Sequence, residues 1–165
     1  SGDDMILKRM KRRHNRADSI AFCAALKAKR PDMVFGADII AGFPTETDEM
    51  FENSLRIVQE CGLTFLHVFP YSARPGTPAA RMPLVEPQVV KRRAALLREA
   101  GEARLKTYLG EQLGQMTEVL VETPEMGRTP QFAQATFSTS MVPGAIVRAK
   151  VLAAHQSSLE VSVAP

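Results

Sequence analysis

Two short stretches of the chain gather the residues that can do chemistry. The first is A-D-I-I-A-G-F-P-T-E-T, Ala37 to Thr47, in which a carboxylate, Asp38, precedes the apolar run Ile39-Ile40-Ala41. Gly42 and Pro44 break that run, and Thr45 or Thr47 can cap a helix starting just beyond them. The pattern reads as a buried strand, a sharp polar loop and a helix start. An acid inside a buried strand is costly unless something pairs with it. Ligands of parallel α/β proteins sit at the carboxyl ends of strands, so this stretch is expected to be the floor of a ligand site. The second stretch is Tyr71-Ser72-Ala73-Arg74-Pro75-Gly76-Thr77-Pro78. Its turn formers can hold Arg74 firmly against an anion, or the loop is a tight surface turn with a solvated Arg. Basic residues crowd the start of the chain: Lys8, Arg9, Lys11, Arg12, Arg13 and Arg16. They can contact phosphate or nucleic acid, form a solvated helix face, or include one Arg that points inward.

Periodicity supplies the elements that must position these groups. Ile6, Leu7 and Met10 recur at helical spacing, which predicts a short helix over residues 4–12, with His14 in the break after it. Asn15 and Asp18 resemble a capping pair for a helix over 16–29, ended by Pro31. Met33 to Ala41 is near-continuously apolar, as in a strand buried on both faces. The next helix runs from about Thr47 to Cys61, with Met50, Phe51, Leu55, Val58 and Cys61 as its buried stripe and Gly62 as its stop. T-F-L-H-V-F-P, Thr64 to Pro70, is a second strand and completes a β-α-β unit. His67 in that strand either faces a barrel interior or is a satisfied core histidine. Pro87 opens a long helix to about Tyr108, on which Lys91-Arg92-Arg93 reads as a solvated face or an RNA contact. After Gly114 the period changes to 2 around Val119/Val121, Val147–Ala153 and Leu159–Val163. Four or five short strands there suggest a small antiparallel barrel. The pattern is thus α/β over 1–110, continued over 111–165 by a small antiparallel β-barrel.

Composition narrows the classes further. The 165 residues carry a net charge of +3. Residues 1–110 hold 18 Lys and Arg against 13 Asp and Glu, while residues 111–165 hold 3 against 5. The barrel segment is therefore no strongly basic module, although Arg128, Arg148 and Lys150 can form a local patch with Phe132 or Phe137 as a stacking surface. No apolar run approaches the ~20 residues of a membrane helix, and no signal peptide is visible, so no membrane partner is expected. Cys23 and Cys61 show no metal-type spacing and read as free thiols in a reducing, cytoplasmic setting, with no metal expected.

On these motifs the chain resembles the radical-SAM tRNA methylthiotransferases over nearly its whole length. The start, S-G-D-D with I-L-K-R-M-K-R, is similar to the family's fourth barrel strand exit and the helix after it. D-I-I-A-G-F-P-T-E-T resembles the fifth strand motif, with Thr45 where a Gly is usual. F-P-Y-S-A-R-P-G-T-P-A-A resembles the sixth strand and its loop, and the last ~50 residues resemble the RNA-binding TRAM barrel. The resemblance implies that residues 1–110 are the last β/α units of a partial TIM-like barrel and residues 111–165 an OB-like TRAM barrel. It also implies an intact enzyme that uses S-adenosylmethionine and two [4Fe–4S] clusters to methylthiolate C2 of a modified adenosine beside the tRNA anticodon. L-H-V-F-P-Y-S and A-A-R-M-P look closer to the branch acting on threonylcarbamoyladenosine than to the isopentenyladenosine branch. Acidic residues usual in the ribosomal-protein branch are absent at Arg74-Pro75.

The resemblance also implies residue roles. Asp38 would accept the two ribose hydroxyls of S-adenosylmethionine, which suits an acceptor-only carboxylate. Arg12 would pair with the methionine carboxylate. Gly42, Phe43 and Pro44 would let backbone and an aromatic edge approach adenine. Tyr71, Ser72 and Arg74 would line the substrate side. The family's C-x-x-x-C-x-x-C cluster loop is absent from these 165 residues, which predicts a C-terminal fragment that is inactive alone and holds no cluster. A half-barrel exposes a strand edge, so dimerisation through that edge is a further expectation. Two other readings fit parts of the sequence: a non-catalytic nucleic-acid-binding module, and a fragment of an unrelated β/α-barrel lyase or aldolase.

Overall fold

The computed structural model describes residues 1–163 and contains two compact units, Ser1–Arg104 and Leu105 onward. In the first, α1 (Asp4–Arg9) and α2 (Arg16–Lys29) precede β1 (Phe35–Ala41), α3 (Asp48–Glu60) and β2 (Leu63–Pro70). A 3-10 turn over Ala79–Arg81 leads to α4 (Pro87–Glu111). Among the described residues no helix is long and apolar enough to cross a membrane.

Local chemistry accounts for the helix ends. The Asp3 side chain caps α1, accepting from the Met5 and Ile6 N–H groups at 3.0 and 3.1 Å. Helix α1 stops at Arg9 rather than running to residue 12. Lys11 turns left-handed at φ 57°, and the Lys11 and Arg12 N–H groups return to the Lys8 and Leu7 carbonyls; this double closure ends a helix within one turn. Asn15 and Asp18 form the expected capping box on α2. Thr47 caps α3, and Gly62 at φ 61° takes the left-handed position just past its end.

Strands β1 and β2 pair in parallel, Asp38 opposite His67 and Ile40 opposite Phe69. Ile39 and Ala41 of β1 pack with Phe51, Ile57, Val58 and Cys61 from the α3 segment, Leu63 of β2, and Ala94 and Leu97 of α4. The expectation of a strand buried on both faces is corrected here. Only the helix-facing side of the sheet is covered, because alternation sends Gly36 and Asp38 to the other side, where both are exposed. His67 is exposed on that same side and is not a core histidine.

The second unit begins inside α4 and continues as a closed barrel with strand order β3-β4-β5-β7-β6. Its strands are β3 (Met116–Thr123), β4 (Met126–Arg128), β5 (Gln134–Phe137), β6 (Ile146–Ala154) and β7 (Ser158–Val163). Four of its pairings are antiparallel and one, β5 with β7, is parallel. Alternating directions around a ring of five strands must leave at least one parallel pair, so closure itself requires this seam. Val119, Val121, Ala135, Ala149, Val151, Leu159 and Val161 fill the barrel, joined by Leu109 of α4 and by Phe137.

Candidate functional site

The carboxyl end of β1 is held by a buried ionic knot. Gly42, Phe43, Pro44 and Glu46 are all buried. Gly42, at φ 72°, donates its N–H to Glu46 Oε2 at 2.9 Å. Arg93 Nη1 donates to the same oxygen at 3.0 Å and to the Glu46 carbonyl at 2.9 Å. Arg93 Nη2 donates to Asp48 Oδ1 at 2.6 Å, and the guanidinium lies 5.4 Å from the Phe51 ring centroid. The Arg93 and Glu46 side chains are 4% and 0% exposed, so water screens this pair very little. Burial pushes the Glu46 carboxyl above its ordinary range, against the pull of the Gly42 N–H and Arg93. The Arg93 hydrogen bond holds Asp48 below its ordinary range. Arg93 was legible only as part of a basic run. The available signal was its place beside Ala94 and one turn before Leu97, on the buried stripe of α4.

Thr45 lies in the middle of this loop at φ 66°. Its N–H donates to the Pro83 carbonyl at 3.0 Å, and its carbonyl accepts from Arg9 Nη1 at 3.3 Å. A β-branched residue in the left-handed region costs about 1–2 kcal/mol. Glycine would relieve that cost while adding freedom to the unfolded chain. Thr45→Gly is therefore expected to stabilise the chain by about 0.5–1 kcal/mol in urea denaturation. A loss of that size would contradict the strain assignment.

The residues singled out in the sequence occupy different settings. Asp38 is exposed on the open side of β1, not buried. Arg12 is exposed past the end of α1. Phe43 is 5% exposed, and its ring meets Tyr71 edge to face at 5.4 Å between centroids. Tyr71 lies at the end of β2, its N–H on the Ala41 carbonyl at 2.9 Å and its phenol oxygen buried without a hydrogen-bond partner. Ser72 and Arg74 are exposed in the loop beyond. One basic residue near the start does point inward. Arg16 Nη1 donates to the Gly2 and Asn53 carbonyls at 2.7 and 2.6 Å, and its Nη2 pairs with Glu60.

On the barrel, Arg148 and Lys150 point outward from β6, opposite Glu118 and Met116 of β3. Arg128 donates to Glu122 at 3.4 Å and to the Phe132 carbonyl at 3.2 Å, so part of its charge is met within the barrel. Phe132 is 71% exposed. Phe137 is removed as a stacking surface because inward alternation along β5 places it in the barrel core.

No family model matches the chain. Curated relatives match nearly all of it. A threonylcarbamoyladenosine tRNA methylthiotransferase of Rickettsia prowazekii is 49% identical over 160 residues, which is 97% of this chain and 38% of the relative. The chain belongs to the tRNA methylthiotransferase family. A tRNA-2-methylthio-N(6)-dimethylallyladenosine synthase of Ehrlichia canis is 35% identical, covering 96% of this chain and 38% of the relative. Another threonylcarbamoyladenosine tRNA methylthiotransferase, from Chlamydia pneumoniae, is 37% identical over 83% of this chain and 34% of its own length. The chain thus spans little more than a third of these methylthiotransferases.

Proposed function

We propose that this chain forms the C-terminal part of a radical-SAM methylthiotransferase acting on threonylcarbamoyladenosine in tRNA. The observation that carries this reading is the 49% identity, over 97% of the chain, to a relative of that name. Bound S-adenosylmethionine would supply the radical that activates adenine C2 and the methyl group for the new sulfur.

The chain's own residues would hold and orient. Asp38, on the open side of β1, has two acceptor oxygens free to meet a ribose diol. Arg12 would take the methionine carboxylate through its guanidinium fork. Gly42, Phe43 and Pro44 fit the adenine side as a rigid floor rather than as an exposed ring, because the Gly42 N–H is already engaged and the Phe43 ring is buried against Tyr71. Tyr71, Ser72 and Arg74 would face the RNA nucleotide. Arg148 and Lys150, with Arg128 behind them, would meet tRNA phosphates. The iron–sulfur clusters do not fit this chain: Cys23 and Cys61 pack in the apolar core, and two thiols cannot complete a cluster's ligand set.

Asp38→Ala in the intact enzyme tests the ribose assignment. Loss of the charge-assisted bonds is expected to weaken S-adenosylmethionine binding about 10- to 100-fold with thermal stability retained. Unchanged affinity in equilibrium dialysis would remove Asp38 from the cofactor site.

A further inference from the structure

The fold neutralises several of its arginines and leaves a cluster at the end of α1 unmet. Arg16 pairs with Glu60, Arg30 with Asp32, Arg93 with Glu46 and Asp48, and Arg128 with Glu122. Lys8, Lys11 and Arg13 are exposed and take part in no ion pair among the described residues. Residues 8–13 hold five cations and no acid, so they repel one another at a cost to the free chain. Asp4, one turn before Lys8, already accepts from the Arg16 N–H at 2.6 Å.

The turn that carries these cations is fixed. The Lys11 N–H donates to the Lys8 carbonyl at 3.0 Å and the Arg12 N–H to the Leu7 carbonyl at 2.9 Å. This pair of bonds puts Lys11 at φ 57°, where glycine is the usual and cheaper occupant. A lysine there costs about 1 kcal/mol and supplies a cation instead. Ile6 and Leu7 anchor the helix in the interior. Arg9 Nη1 donates to the Thr45 carbonyl at 3.3 Å, which ties the turn to the loop at the carboxyl end of β1. The unmet cations are therefore held beside the candidate site. A nucleic-acid backbone, with phosphates recurring along each strand, meets several such cations at once and releases counterions in doing so.

We infer that the turn at the end of α1 is a phosphate-binding surface for tRNA, in which Lys8, Lys11 and Arg13 meet the RNA backbone. Arg12, proposed for the methionine carboxylate, is not counted in it. The surface belongs to unit one and adds to the contacts proposed for the barrel, whose segment carries 3 Lys and Arg against 5 Asp and Glu. The inference deepens the proposed function and rests on it for the identity of the polyanion.

The test follows binding of the chain to an unmodified anticodon stem-loop RNA by fluorescence anisotropy, from about 50 to 200 mM salt. Lys8→Gln, Lys11→Gly and Arg13→Gln are combined in one variant. Glycine suits the left-handed turn, so thermal stability should be retained. The variant is expected to bind about 10- to 100-fold more weakly at the lowest salt, with a log–log slope shallower by about 2–3. Arg13→Lys, which keeps the charge, should keep the wild-type slope. Unchanged slope and affinity in the combined variant overturns the assignment. So does a chain that fails to bind the RNA at the lowest salt, or a slope abolished by Arg148→Gln with Lys150→Gln alone. Phosphatidylglycerol vesicles bound more tightly per phosphate than the RNA would mark a membrane-facing patch and also overturn it. The RNA carries no modified adenosine, so this readout is independent of the proposed reaction. Undiminished 2-methylthio nucleosides after gene deletion would remove that reaction and leave the RNA surface standing.

Discussion

Arg93→Met is expected to cost the chain about 3–5 kcal/mol, the range for removing one partner of a buried ion pair. The methionine retains most of the apolar stem, so the loss reports the guanidinium. Its removal leaves Glu46 inside the protein without its cation, its carbonyl without the Arg93 donor and its carboxylate with the Gly42 N–H alone. The loss should also grow with pH. The folded pKa of Glu46 already stands above its ordinary value of 4.5, and without Arg93 it rises further. A carboxyl with a raised folded pKa contributes fully below the unfolded value and loses that contribution as pH rises through the folded one. The variant should therefore be much closer to wild type at pH 5 than at pH 8. Adding Glu46→Gln to Arg93→Met should recover part of the loss at pH 8, because no buried charge then remains. A loss under 1 kcal/mol in urea denaturation at pH 8, or a loss that shrinks with pH, would contradict the knot's role.

Gly42→Ala is expected to cost about 3 kcal/mol. Two independent terms add. At φ 72° any side chain is strained, by about 1–2 kcal/mol. An added Cβ would also stand 2.5 Å from Val90 Cγ2 and 2.9 Å from Val90 Cγ1. A valine has little rotamer freedom in a helix, so it cannot swing aside. Val90→Ala in the same chain should recover the steric part and leave the dihedral part. If the double variant is fully additive, the close approach is not the cause. Gly42 is thus fixed three ways: by its dihedral, by the α4 side chain over it and by its N–H on Glu46.

The sequence made local elements readable where a single residue type decides them. Asn15 with Asp18, Thr47, Gly62 and Pro87 each mark a helix end by backbone chemistry that needs no tertiary partner. The barrel was readable from alternation alone, since inward and outward residues differ in polarity along β3, β6 and β7. What escaped was set by long-range packing. Arg93 looks like its neighbours Lys91 and Arg92 until Glu46, 47 residues away, is known to lie buried beside it. Asp38 looked buried because an apolar run gives no sign of which sheet face is covered. Phe132 and Phe137 could not be separated by composition, only by where β5 begins: Phe137 pairs within it and Phe132 lies in the turn before it. Helix α4 runs on to Glu111 through Gly110, because one glycine costs about 1 kcal/mol and does not end a packed helix. Of the candidate site, both strand-end loops were visible as motifs.

The most direct test of the proposed function is the tRNA itself. The coding sequence is deleted in its host, total tRNA is digested to nucleosides, and the 2-methylthio derivatives are measured by mass spectrometry. The expected result is loss of the 2-methylthio form of threonylcarbamoyladenosine, accumulation of the form without sulfur, and restoration by the wild-type gene but not by the Asp38→Ala gene. Undiminished 2-methylthio-threonylcarbamoyladenosine in the deletion strain would contradict the account.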